Sequence, residues 1–132
     1  MTPPSFTAFA EDKVPASPPA AGAPRFVKTV KFKKATADIA EAVDIERIAS
    51  WAKKQQQATG RVEGYACQDD IKGRSIDDEK TKLWVLTMGE RRANVVIEAL
   101  VNKGIAKNRL LPVALGLAEA DEPCKAQVVF VH

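Results

Sequence analysis

Met88-Gly89-Glu90-Arg91-Arg92-Ala93-Asn94-Val95-Val96-Ile97-Glu98-Ala99-Leu100-Val101-Asn102-Lys103-Gly104-Ile105 is the stretch that decides the fold of this chain. Ala93, Val96, Ile97 and Leu100 recur at the three- and four-residue spacing of one helical face, and Leu86 extends the stripe upstream. Gly104 stands where a helix needs a residue free to turn left-handed beyond its last turn. The start carries two signals. Thr87 and Glu90 have capping-box spacing, while Ser75 and Asp78 offer an earlier beginning. From either start this is the longest element in the chain.

Strands lie on the C-terminal side. Arg109 to Gly116 contains one, Leu110 to Leu115, and Lys125 to Val131 is another, carrying Val128, Val129, Phe130 and Val131. On the N-terminal side, a polar loop runs from Cys67 to about Lys80, rich in Asp and Lys and containing Gly73. Before it, Arg61 to Ala66 reads as a short strand. Asp38 and Glu41 mark a helix start by capping-box spacing, followed by Ala42, Ile45, Ile48, Ala49 and Ala52 at helical spacing with Trp51 beside them. Lys53 and Lys54 suit the last turns, and Thr59-Gly60 reads as the stop. Phe26, Val30 and Phe32 alternate with Val27, Thr29 and Lys31 as a first strand.

The order is β-α-β-α-β-β. Two βα units favour parallel strands, right-handed crossovers and both helices on one face. The fold class is therefore α/β, of the α+β sandwich kind, with a four-stranded mixed sheet.

At 132 residues one domain is expected, large enough to bury a core. Residues 1–24 read as a Pro/Ala-rich linker: Pro3, Pro4, Pro15, Pro18, Pro19 and Pro24 deny the backbone donors that helices and sheets need. Phe6 and Phe9 are stray aromatics within it. The start has neither the basic nor the apolar region of a signal peptide, which leaves a cytoplasmic protein or a signal outside this sequence. No apolar run approaches the roughly 20 residues of a membrane span.

A net charge of +3 is too small to argue for nucleic acid. Lys28, Lys31, Lys33 and Lys34 read as a solvated strand face, and the aromatics near them, Phe26 and Phe32, fit the core better than a platform for bases. Catalysis lacks its usual parts. The single histidine is the last residue, His132, and no His/Cys cluster has metal spacing. Gly116 stands alone after a strand rather than in a phosphate-binding loop, and the neighbours Asp69-Asp70 and Asp77-Asp78 are not a dyad without burial. No cofactor is expected. Cys67 and Cys124 stand far apart, and sequence alone leaves open a pair of buried thiols or a disulfide.

Together these segments resemble the OmpA-like peptidoglycan-associated family. Ile48-Ala49-Ser50-Trp51 matches the end of its first helix, and Val62-Glu63-Gly64-Tyr65-Ala66-Cys67 its second strand and turn. Arg92-Ala93, Val96, Leu100 and Gly104-Ile105, continuing to Arg109-Leu110, match its second helix and the turn beyond. The resemblance covers Phe26 to the C-terminus. It implies a non-enzymatic module of the bacterial envelope, in the periplasm, tethered toward the outer membrane through the N-terminal segment. The family's ligand is the diaminopimelate of the peptidoglycan stem peptide. A carboxylate takes its ammonium and an arginine grips its carboxylate through a two-point fork.

Carried over residue by residue, Arg92 holds the arginine position, with Gly64 and Tyr65 on the pocket-lining strand. The family's aspartate, however, is Cys67 here. Its asparagine falls on Val85, and its paired strand arginines fall near Ala126 and Gln127. The loop after Cys67 is also longer than the family pattern, and Asp69 or Asp70 is the candidate replacement carboxylate. Without a ligand, Arg92 reads as a helix arginine pairing with Glu63 or Asp70. The resemblance brings Cys67, closing the second strand, beside Cys124, opening an antiparallel last strand. That implies a Cys67–Cys124 disulfide at a Cα separation of about 5–6 Å, and an oxidising compartment. Two functional expectations follow: a wall anchor that binds stem peptide through Arg92, or a protein–protein module of an outer-membrane, secretion or conjugation complex whose old pocket is filled.

Overall fold

The structure, a computed structural model, describes residues 24–119 and 122–131. Residues 1–23, with Phe6 and Phe9, and His132 lie outside the described residues. The elements run β1 (Pro24–Lys31), α1 (Ala42–Lys54), β2 (Thr59–Ala66), a 3₁₀ turn (Gln68–Ile71), α2 (Glu79–Asn102), β3 (Leu110–Leu117) and β4 (Lys125–Val131).

The sheet order is β1-β4-β2-β3. β4 is antiparallel to both of its neighbours, and β2 and β3 are parallel. β1 and β2 therefore run the same way, as two βα units predict, but the last strand lies between them. Alternation sorts the residues: Val30 of β1, Val62 of β2 and Ala126, Val128 and Phe130 of β4 share a core with Ile45, Ile48, Ala49 and Ala52 of α1 and Ala93, Val96, Ile97 and Leu100 of α2. Both helices cover that one face.

Two helix boundaries differ from the sequence expectation, both of them in α1. α1 begins at Ala42, not Asp38. Phe32 bridges to Ile39, and Ala40 donates its N–H to the Lys31 carbonyl at 2.9 Å, so residues 32–40 turn back on the end of β1 instead of starting the helix. α1 ends at Lys54 rather than Thr59-Gly60, which open β2. Its stop is remote: Arg109 donates to the carbonyls of Ala52, Gln55 and Ala58 at 2.8–3.0 Å, satisfying acceptors that a helix C-terminus leaves orphaned.

α2 starts at the earlier of its two signals. Asp78 caps it by accepting from the Thr81 N–H, and Thr87 lies inside, bonded back to the Leu83 carbonyl. Leu86 is 48% exposed; Val85, Met88 and Gly89 take the buried positions instead. At the far end Gly104 sits at φ +100, its N–H on the Val101 carbonyl, with Ile105 bonding Leu100. This is the Schellman pattern, closed by the buried pair Leu100 and Ile105.

Candidate functional site

The site lies where β2 ends and β4 begins. β2 and α2 come closest at Gly64 and Gly89, where a Cβ on Gly89 would meet the Gly64 carbonyl oxygen at 2.7 Å. That approach carries Arg92, one turn further along α2, beneath the end of β2. Arg92 is fully buried, so its charge needs partners in place. Nη1 donates to Asp70 Oδ2 at 2.6 Å and to the Tyr65 carbonyl at 2.9 Å; Nη2 donates to Asp70 Oδ1 at 2.8 Å; Nε donates to the Thr36 carbonyl at 2.9 Å. Four of the five N–H donors of the guanidinium are thus engaged.

Asp70 is the other half of a two-point fork. Its side chain is 1% exposed, and Oδ2 also accepts the Cys67 backbone N–H at 2.8 Å. The 3₁₀ turn that carries it is held by Ile71, buried against Ala66, Val85 and Met88, and by Trp84, whose Nε1 donates to the Asp70 carbonyl at 3.0 Å. Cys67 and Cys124 form a disulfide with Cα atoms 4.8 Å apart, both buried. Ala35, in the left-handed region at φ 56, donates its N–H to Cys124 Sγ at 3.5 Å, placing Thr36 over Arg92. Among the described residues, Cys67, Asp69 and Cys124 bring possible metal-ligating atoms within 4.8 Å, but the sulfurs are bonded to each other and present no thiolate.

Of the partners considered for Arg92, Asp70 has it, and Glu63 pairs with Arg61 at 2.6 Å. Asp69 points elsewhere, 3.6 Å from the exposed Lys34. Tyr65 gives the site its carbonyl, while its ring lies 4.9 Å from the Lys125 ammonium. Lys125 in turn donates to Glu122 at 2.8 Å, which lowers the Glu122 pKa. Burial raises the Tyr65 pKa, and the Glu63 charge adds to the rise against the opposing pull of Lys125. Val85 and Ala126 are core residues. Thr36 and Trp84 were missed. A main-chain acceptor leaves no mark in sequence, though an aromatic just inside a helix that follows a long loop is a signal that the loop folds back on it.

In chemical terms, a buried guanidinium is satisfied by a carboxylate of the same chain, in the two-point geometry with which an arginine grips a free carboxylate.

The family model described as OmpA family matches residues 31–129. No curated protein matches. Among solved structures, the chain is similar to the peptidoglycan-associated lipoprotein of Burkholderia pseudomallei: TM-score 0.62, 19% identity, covering 78% of this chain and 89% of that one. It is similar also to the OmpA-like domain of FopA1 from Francisella tularensis, with TM-score 0.62, 18% identity and coverages of 80% and 70%. A third is the periplasmic domain of Helicobacter pylori MotB, with TM-score 0.59, 19% identity and coverages of 80% and 74%.

Proposed function

The chain belongs to the OmpA family, and on that premise we propose that it is a non-enzymatic periplasmic module of the bacterial envelope whose ligand pocket is closed from within. The fold then works as a protein–protein element of an envelope assembly, with residues 1–23 as its linker toward the outer membrane. One observation carries the reading: Asp70 occupies the Arg92 fork, with both side chains buried.

A stem-peptide carboxylate reaching for Arg92 has to displace the Asp70 carboxylate, which the Cys67 backbone N–H also holds in place. The ligand's ammonium finds a half-cystine where the family places its aspartate. Truncating one partner of a buried charged contact costs about 2–5 kcal/mol in binding, so losing several removes a weak affinity altogether. The disulfide supports the periplasmic assignment, because such bonds persist in oxidising compartments. No helix among the described residues is long and apolar enough to cross a membrane.

Co-sedimentation with purified diaminopimelate-type sacculi tests the proposal. The disulfide-bonded chain stays in the supernatant. Pelleting that free diaminopimelic acid competes away would restore the wall-anchor function.

A further inference from the structure

The Cys67–Cys124 bond reaches the Arg92 site from two sides. Cys67 gives its backbone N–H to the Asp70 oxygen that Arg92 holds. Cys124 Sγ takes the Ala35 N–H, next to the Thr36 carbonyl that accepts from Arg92 Nε. Each wall of the closed pocket is therefore tied to one half-cystine. The Asp70 wall has two other anchors: Ile71, the one residue of 68–80 buried as a whole, and the Trp84 Nε1–H bond to the Asp70 carbonyl. The ion pair is a poor latch unaided, since attraction between buried charges is largely offset by the hydration both groups forgo.

We propose that the disulfide is a redox latch on Arg92. As the disulfide it holds Asp70 and Thr36 against the guanidinium; as the dithiol it lets the loop after Cys67 withdraw and presents Arg92 to a carboxylate ligand. The inference rests on the reading that the disulfide-bonded pocket is closed. The chemistry is exchange with a dithiol reductant. One of its thiolates attacks a half-cystine sulfur, forming a mixed disulfide and expelling the other cysteine as thiolate. Its second thiol then releases the first cysteine. The protein gains two electrons and two protons, and the reductant leaves as a disulfide.

The test compares Arg92 reactivity toward phenylglyoxal, by peptide mass mapping, in three samples: the disulfide form, the dithiothreitol-reduced chain, and the Cys67→Ser/Cys124→Ser variant. Arg109, bonded to three main-chain carbonyls of α1 and the turn after it, is the internal control. The latch requires Arg92 to react roughly tenfold faster in the reduced and serine forms, with Arg109 unchanged, as local opening rather than unfolding demands. Equal protection of Arg92 in all three overturns it. A joint rise of Arg92 and Arg109 also overturns it, by making the bond a general staple. Rapid modification in the disulfide form would instead overturn the closed pocket on which the inference rests.

Discussion

Gly64 of β2 and Gly89 of α2 meet with no side chain between them, and a Cβ on Gly64 would run into the Gly89 carbonyl group. This contact sets the depth at which α2 lies on the sheet, and so the depth at which Arg92 reaches the end of β2.

Gly64→Ala is therefore expected to destabilise the fold by about 3 kcal/mol or more, since backbone rather than a flexible side chain must yield. Gly116→Ala, where nothing lies within 4 Å, is the matched control and should change stability little. Urea denaturation of both variants makes the comparison, and equal midpoints would contradict it.

Asp70→Ala leaves Arg92 buried without its carboxylate, at a cost of about 3–5 kcal/mol. Pairing Asp70→Leu with Arg92→Met removes both charges and should recover most of that loss. Thermal melts of the single and double variants decide. A single variant as stable as the parent would mean that water or another residue satisfies the guanidinium.

The Cys67–Cys124 bond closes 57 residues of sequence separation, so its loss costs about 4 kcal/mol on the chain-entropy model and less where the unfolded chain retains structure. Reversible denaturation with and without reductant measures it. A difference under about 1 kcal/mol would contradict this.

Tyr65 is the chain's one tyrosine, so absorbance near the phenolate band reports it alone. Its midpoint should lie above the ordinary 10.0, chiefly because burial disfavours the phenolate. The folded chain holds the phenol proton more tightly than the unfolded one. This contribution is thus whole below the ordinary value and is lost as pH rises through the raised one. Lys125→Gln removes the charge that opposes the rise and should move the midpoint higher still. A midpoint at or below 10.0 would contradict the burial of the ring.

The β-α-β-α-β-β order was legible because it rests on apolar periodicity, which burial imposes directly. Boundaries read from short capping patterns were less so. Asp38 and Glu41 have the right spacing, but the Phe32–Ile39 bridge turns the chain back on the end of β1 there. The end of α1 depends on Arg109, far away in sequence. Leu86 shows the limit of a stripe read by hydrophobicity alone: the buried face includes Gly89 and Arg92, which a hydrophobic tally passes over. In the site, Arg92, Cys67 and Cys124 stood out because the family resemblance gave them positions. The choice between Asp69 and Asp70 was invisible, because it depends on which way a four-residue 3₁₀ turn points its carboxylates.

The most direct test of the closed pocket is titration of the isotope-labelled, disulfide-bonded protein with a diaminopimelate-containing muropeptide, followed by amide chemical shifts. With Asp70 seated on Arg92, the amides of Gly64 to Asp70 and of Arg92 should stay in place up to millimolar ligand. Saturable shifts clustered at those residues would show that the ligand displaces Asp70, and the closed pocket would be wrong.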